Sequence, residues 1–193
     1  MGFLVRARLA TRRASGDVPV GAAFRDVGDL AAAVLDLHRG GAPLWHLGFL
    51  NAAMARAKGL EEGQVLFGAY PEERASWVEG ALRRASESHR GRVAAREKAG
   101  RIWEQRFFPA HPSGPTPTPG RAFIRVARLA PTLAELERKL AGVAVQGTVA
   151  RMGEVALLAF DPSEGGKALV DLSTTTDIEL VRLAGRSWMP EQW

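Results

Sequence analysis

The chain has 193 residues, of which 46% are hydrophobic and 24% are charged, and its formal net charge is +5. This composition is typical of a globular protein with one core and argues against extensive disorder. The absence of cysteine excludes disulfides, thiol nucleophiles and cysteine metal sites. Polar residues interrupt every apolar run before it reaches the length of a membrane span, and the N-terminus lacks a signal-peptide pattern. We therefore expect a cytoplasmic protein.

Strand and helix patterns alternate in the first half of the chain, residues 1–108. Alternating apolar and basic residues predict a strand from Phe3 to Arg13, and "DVPVGAAF" predicts a second strand. Asp26 is the expected N-cap of a helix that ends at Gly40 and Gly41. Beyond that helix the sequence predicts a strand in "PLWHLGFL", a short helix in "NAAMARAKG" and a buried strand in "GQVLFGAY".

Two further helices are predicted before the middle of the chain. Pro71 suits the first turn of the first one. The apolar side of this helix should hold Trp77, Ala81, Leu82 and Ala85. The second helix should extend from about Val93 to Phe107.

A proline-rich loop, residues 109–119, should join the first half to a second half, residues 120–193. In the second half, "RAFIRVARLA" predicts a strand, and "PTLAELERKLAG" predicts a helix with an apolar stripe. Thr132 and Glu135 have the spacing of a capping box for that helix. A hairpin should follow, with its turn near Met152 and Gly153. The tail after residue 165 fits either a strand and a helix or two strands.

This order of elements predicts an α+β fold within a single domain, residues 1–193. The sheet should be mostly antiparallel, with helices on one face, and the two halves should each be ferredoxin-like.

Motifs of independent catalysis are missing from the sequence. It contains no phosphate-binding glycine loop and no G-x-S-x-G nucleophile turn. The four histidines, His38, His46, His89 and His111, are scattered without metal-ligand spacing, so we expect no metal site. The adjacent carboxylates Glu61 and Glu62 are interpreted as solvated. Whether this chain is itself an enzyme stays open at this point.

The stretch "RIWEQRFFPA" carries the strongest candidate site residues, Trp103 and Arg106. Their i, i+3 spacing places both on one face of a helix. In one interpretation Arg106 holds a carboxylate through its planar, permanently charged guanidinium. In the other, Trp103 packs into the core and Arg106 caps the last carbonyls of the helix. The residues alone leave both interpretations open.

Several stretches, taken in order, resemble the C-terminal half of FAD-linked oxidases of the vanillyl-alcohol-oxidase-like group. The family pattern of strand, strand and "F-x-x-[lv]-x-x-A" helix is similar to "GFLVRARLATRR" followed by "AAFRDVGDLAAAVLDL". "GQVLFGAY" resembles the next strand, and the family's "[LI]-W-x-x-R" helix matches Ile102, Trp103 and Arg106. "TLAELERKLAG" resembles a later helix of the same domain.

The resemblance implies a cap or substrate domain of a flavin-dependent 2-hydroxy-acid oxidoreductase. The histidine-containing metal loop of some members has no counterpart in "GTVARMGEVALLAF", so the resemblance is closest to the accessory flavin subunit of glycolate oxidase. FAD is then expected on a partner subunit or another domain, with Arg106 and Trp103 facing the substrate or the flavin. The alternative is a non-enzymatic α+β module that binds an acidic partner such as RNA. Basic residues dispersed from Arg6 to Arg186 argue against nucleic acid.

Overall fold

The computed structural model describes residues 16–60, 63–106, 120–139, 142, 144–150, 155–160, 178–183 and 186–187. The strands are β1 (Asp17–Phe24), β2 (His46–Leu50), β3 (Gln64–Pro71), β4 (Arg92–Val93), β5 (Gly120–Arg125), β6 (Val145–Ala150), β7 (Val155–Phe160), β8 (Ile178–Leu183) and β9 (Arg186–Ser187). The helices are α1 (Val27–Arg39), α2 (Ala52–Ala57), α3 (Ala75–Ser88), α4 (Arg96–Glu104) and α5 (Leu129–Lys139).

The described strands form one sheet in the order β4-β1-β3-β2-β6-β7-β5-β8-β9, and every pairing is antiparallel. The first four strands, with α1 and α3, have the 4-1-3-2 order of a ferredoxin-like unit. The second half has the same arrangement in the reverse direction across the sheet, β6-β7-β5-β8, when β5 is counted as its first strand. The predicted α+β fold with two ferredoxin-like halves is therefore confirmed.

Direct pairing of β2 with β6 joins the two halves edge to edge. Phe49 lies opposite Gly147, and Gly48 lies opposite Thr148. A Cβ added at Gly147 would collide with the Phe49 ring, and one added at Gly48 would collide with Phe67. Each glycine thus makes room for an aromatic ring that lies across a neighbouring strand. The two ring–glycine pairs lie on opposite faces of the sheet because residues 48 and 49 alternate.

The three longer helices, α1, α3 and α5, cover one face of the sheet as predicted. Their main core includes Leu30, Val34, Leu82, Leu133 and Leu136. The short helices α2 and α4 lie on the opposite face of the first half. They build a smaller cluster of Leu50, Met54, Ala55, Leu60, Val65, Phe67 and Ile102. Both faces of β3 are therefore buried, and each of its residues is buried.

Polar side chains add further links across the junction. Asn51 caps α2 by accepting a hydrogen bond from the Met54 amide at 2.9 Å, and the same Oδ1 accepts one from the Val145 amide at 2.9 Å. Gln64, which is 2% exposed, accepts from the Ala52 amide. Its Nε2 donates to Glu137 of α5 at 2.8 Å. These bonds satisfy buried polar groups with partners from both halves.

The predicted N-cap of α1 and its predicted end at the two glycines are both confirmed. Asp26 accepts hydrogen bonds from the amides of Gly28 at 2.6 Å and Asp29 at 3.3 Å. The helix ends at Arg39, immediately before the two glycines. His38 lies in its last turn, where a cation is favourable.

The predicted start of α3 is wrong. Pro71 is the last residue of β3, paired with Asp17, and a 3-10 turn from Glu72 to Arg74 precedes the helix. Pro71 belongs to the strand and not to the helix because the pairing of β3 with β1 continues to this residue. The Glu72 amide then donates to the Gly16 carbonyl at 3.1 Å. Trp77 was also misplaced. It is 49% exposed, and its neighbour Val78 occupies the core instead.

Two other helix boundaries also differ from prediction. Val93 belongs to β4 because residues 92 and 93 pair with the edge of β1, so α4 begins only at Arg96 and ends at Glu104. In the second half a 3-10 turn leads directly into α5 at Leu129. Thr132 consequently lies inside the helix and is buried, and no capping box forms. Glu135 pairs with Arg138 instead, at 2.5 Å.

Several predictions fall outside the described residues. They are the strand from Phe3 to Arg13, the pair Glu61–Glu62, the proline-rich loop, Leu140 in the apolar stripe predicted for "PTLAELERKLAG", and the turn near Met152 and Gly153. The hairpin itself is confirmed by the pairing of β6 with β7. In the tail, residues 178–183 form β8, which agrees with the two-strand alternative there.

Each helix in the described ranges is too short or too polar to reach across a lipid bilayer.

The ring–glycine packing at the junction predicts that Gly147→Ala destabilises the protein. The new methyl group would force the Phe49 ring out of its place, and overpacking of this kind costs roughly 1–3 kcal/mol. Gly100→Ala is the matched control, because a Cβ there would have no described atom within 4 Å apart from its chain neighbours and the backbone of its own helix. As an alanine inside α4, it should stabilise by up to about 1 kcal/mol. Urea unfolding of both variants measures the two changes, and a neutral Gly147→Ala would contradict the packing described.

Candidate functional site

Five side chains meet beside the line where the two halves join, and we call them the junction cluster: His46, Phe67, Trp103, Arg106 and Gln146. They come from β2, β3, the end of α4 and β6. The strand residues lie on the face that α4 covers. His46 alternates with Gly48 and Leu50 along β2, and Gln146 lies directly opposite Leu50. The cluster therefore contains residues of both ferredoxin-like halves.

The imidazole of His46 is held between two aromatic rings. It stacks on Phe67 with ring centroids 5.3 Å apart and meets Trp103 edge-on at 5.6 Å. Its Nε2 atom is buried and has no hydrogen-bond partner among the residues that the structure describes. A Cβ at Gly48 would lie 2.9 Å from this atom, so the glycine also leaves room for the imidazole. A buried imidazole nitrogen without a partner is costly, which makes it a candidate contact for a ligand or a water.

Electrostatics keep His46 neutral. Burial lowers the pKa of His46 below its ordinary value of 6.5, and the positive charge of Arg106 lowers it further. Both effects disfavour the imidazolium. At neutral pH the ring therefore offers one N–H donor and one lone-pair acceptor.

Arg106 follows the end of α4 and folds back over it. Its Nη1 donates to the Trp103 carbonyl at 3.0 Å, and its guanidinium carbon lies 4.5 Å from the centre of the Trp103 ring. The Arg106 amide also donates to the Trp103 carbonyl, at 3.1 Å. Arg106 thus caps the helix, as one sequence interpretation expected, while the stacking holds a cation at the cluster.

The end of α4 is tied to both halves by further hydrogen bonds. Gln146 Nε2 donates to the Arg106 carbonyl. Gln146 Oε1 is buried and has no hydrogen-bond partner within the described ranges. Lys58, at the end of α2, donates from Nζ to the Gln105 carbonyl at 2.6 Å. Burial lowers the pKa of Lys58. These contacts fix the direction in which α4 ends, and with it the position of Arg106.

Beyond α4 the same face of the sheet continues without a described helix on it. One register row leads from Phe67 through Gly48 and Thr148 to residue 157 and then to Phe123. Phe123 is 38% exposed, and Arg125, two residues further along β5, is exposed as well. We call this surface the open face. The junction cluster lies at the border of the open face, and Trp103 and Arg106 are the cluster residues that α4 contributes there.

The sequence identified two members of the cluster, Trp103 and Arg106, from their spacing on one helix. It gave no role to His46, Phe67 or Gln146. These residues come from three strands, and only the pairing of β3, β2 and β6 brings them together. The other described histidines lie elsewhere, with His89 bonded to Asp36 at 2.8 Å.

No protein-family model matches the chain, and no curated protein matches it. Two solved structures to which it is similar are both of alkyldihydroxyacetonephosphate synthase, in two crystal forms. The identity is 7% in each, with TM-scores of 0.44 and 0.47. The likeness covers 84% and 86% of this chain but only 38% and 40% of the synthase chains.

The lowered pKa of His46 predicts a specific loss of stability in acid. The unfolded chain takes up a proton near the ordinary pKa, whereas the folded protein resists protonation until a lower pH. The free energy of unfolding should therefore fall as the pH drops from about 6.5 through the folded-state pKa. His46→Gln should remove this part of the loss, whereas His38→Gln keeps the imidazole of the cluster and should retain it. Urea titrations at a series of pH values test this, and parallel profiles for all three proteins would contradict it.

Proposed function

We propose that this chain is a cap or substrate domain of a flavin-dependent 2-hydroxy-acid oxidoreductase of the glycolate oxidase type. The flavin would be carried by a partner subunit or by another domain. The fold that the sequence resemblance implies, two ferredoxin-like halves sharing one antiparallel sheet, is the fold that the chain has. The order of the family-like stretches, from "AAFRDVGDLAAAVLDL" to "TLAELERKLAG", supports the same proposal.

The observation that carries the proposal is the junction cluster at the border of the open face. Arg106 supplies a permanent positive charge, held in place by the Trp103 ring and the helix end. A guanidinium can bind a carboxylate through two parallel hydrogen bonds. Arg125 adds an exposed cation on the same face, beside the partly buried Arg106. An anionic substrate or a flavin-bearing partner would therefore meet positive charge at this surface.

His46 complements this charge with a neutral polar group. Its unpartnered Nε2 can accept a hydrogen bond from a hydroxyl or, in the other tautomer, donate one to a carbonyl oxygen. A 2-hydroxy acid carries a carboxylate and a hydroxyl on neighbouring carbons. Arg106 would hold the carboxylate, and His46 would orient the hydroxyl.

The residues of the open face also fit a planar aromatic cofactor at its border. Phe123 is exposed there, Trp103 is partly exposed, and a buried polar atom lacks a partner in the same cluster. A bound flavin would supply the hydride acceptor for the hydroxyl-bearing carbon. The hydroxyl proton would pass to the neutral imidazole of His46, which leaves a 2-oxo acid as the product. This chain's own residues would bind the acid, orient it and exclude water from the bound substrate.

Co-purification tests the proposal. A tagged copy of the chain, expressed in its native cells, should retain a flavoprotein in stoichiometric amount, and the complex should show the visible absorbance of oxidised flavin. Purified alone, the chain should be colourless, because a separate protein or domain carries the chromophore. Recovery of RNA or of an acidic protein without flavin would overturn the proposal in favour of the non-enzymatic alternative.

Arg106→Ala should weaken binding of glycolate by the flavin-containing complex. The loss should be roughly 1.5–3 kcal/mol, the worth of a hydrogen bond to a charged group. The melting temperature should fall slightly as well, because the bond to the Trp103 carbonyl is lost. Arg106→Lys should restore the melting temperature only in part and the affinity even less, since an ammonium cannot form the planar two-bond contact.

The matched control for these variants is Arg101→Ala, an exposed arginine of the same helix. It should leave both the affinity and the melting temperature unchanged. Calorimetric titration and thermal unfolding supply the two readouts. A loss of stability without any loss of affinity in Arg106→Ala would mean that the residue only caps the helix.

A further inference from the structure

One buried polar atom of the junction cluster has no part in the function proposed above. Gln146 is 7% exposed, and its Oε1 atom has no hydrogen-bond partner among the described residues. Its Nε2 atom donates to the Arg106 carbonyl, which fixes the direction of the side-chain amide. The reverse orientation would bring two carbonyl oxygens together, so Oε1 is the atom that lacks a partner. A buried acceptor of this kind favours a ligand that brings a donor to it.

A small 2-hydroxy acid such as glycolate cannot satisfy this acceptor. Its carboxylate offers acceptors only, and its single hydroxyl is the donor that His46 Nε2 would accept. With glycolate bound at Arg106 and His46, the Gln146 Oε1 atom would still lack a donor. A ligand that satisfies the whole cluster therefore needs a second hydrogen-bond donor.

The strand register places this second donor away from the first. Gln146 lies opposite Leu50 in the pairing of β2 with β6, and His46 comes four residues before Leu50 on the same face. With about 3.4 Å per residue along a strand and about 4.8 Å between neighbouring strands, the Cα atoms of His46 and Gln146 are about 14 Å apart. The two side chains therefore meet different parts of a ligand, and the second donor belongs several carbon atoms beyond the 2-hydroxyl.

The sheet between His46 and Gln146 is lined by a ring and a hydroxyl. Gly48 lies between them on this face, and the Phe67 ring occupies the place where a side chain of residue 48 would be. Thr148 lies opposite Gly48, is partly exposed and precedes the open face in the same register row. Its hydroxyl can both donate and accept a hydrogen bond. Beyond His46 a longer ligand would thus meet two polar side chains of β6.

We propose that the acid bound at the junction cluster is a longer, polyhydroxylated 2-hydroxy acid of the aldonic type, and that Gln146 selects it. The inference rests on the proposed function, because Arg106 holds the carboxylate and His46 the 2-hydroxyl. A hydroxyl further along the carbon chain donates to Gln146 Oε1, and a hydroxyl between them lies near Thr148. Glycolate, which lacks these groups, binds more weakly at the same place.

Three acids test the proposal on the flavin-containing complex. The flavin is kept reduced without oxygen, so that the acids bind and do not react, and calorimetric titration gives the affinities. D-Gluconate carries hydroxyls along its chain. 2-Hydroxyhexanoate of the same configuration at carbon 2 has the same number of carbon atoms and no further hydroxyl, and glycolate is the short reference. Gluconate should bind at least about tenfold more tightly than 2-hydroxyhexanoate, as expected when a buried acceptor gains its donor.

Gln146→Met keeps the length of the side chain and removes both polar atoms. It should weaken gluconate binding at least about tenfold more than binding of 2-hydroxyhexanoate or glycolate. Gln105→Met is the matched control, because it makes the same substitution at an exposed side chain next to Arg106. It should leave all three affinities within about twofold.

The comparison of the acids in the unaltered complex needs no variant. Equal affinity for gluconate and 2-hydroxyhexanoate there would overturn the inference, with a water as the partner of Oε1. An equal loss for all three acids in Gln146→Met would also overturn it, because Gln146 would then act only by positioning Arg106. Both results leave the proposed function standing as long as glycolate binds. If none of the acids binds, the proposed function itself is overturned, and this inference with it.

Discussion

The pairing of β2 with β6 is the contact on which the rest of the structure depends. Each ferredoxin-like half would otherwise expose a strand edge, and exposed edges invite pairing with other chains. Joining the edges requires Gly48 and Gly147, whose missing side chains admit the rings of Phe67 and Phe49. Asn51 extends the joint beyond the last paired residues: its amide donates to the Val145 carbonyl, and its side-chain Oδ1 accepts from the Val145 amide. The result is one sheet with a main core on one face and a partly open surface on the other.

This joint also creates the candidate site. Because β6 lies beside β2, Gln146 can reach the carbonyl of Arg106, and the end of α4 is held from both halves. His46 then sits between Phe67 and Trp103, above a glycine and next to a fixed cation. Such a neutral imidazole beside a permanent charge suits a ligand that carries both a hydroxyl and a carboxylate. The fold and the proposed binding site therefore depend on the same strand pairing.

Local patterns in the sequence predicted the fold well where one signal dominated. The cap at Asp26 and the apolar run of β3 gave their elements correctly, and Trp103 and Arg106 share a helix end. The predicted helix starts at Pro71 and Thr132 were wrong. In both places a 3-10 turn precedes the helix, so the motif that usually marks the first turn does not mark the first helical residue. The remaining cluster residues, His46, Phe67 and Gln146, could not be predicted, since their proximity follows from the register of three strands. His46 and Gln146 are about a hundred residues apart in the sequence.

The most direct test of the account is amide hydrogen exchange of the chain, alone and in complex with its co-purified flavoprotein. If the open face is the docking surface for the flavin-bearing protein, the amides of β5 and β6 and the end of α4 near Arg106 should gain protection. The amides of α1 and α3 should exchange as before. Protection confined to α1 and α3, with the open face unchanged, would contradict the placement of the functional site at the junction cluster.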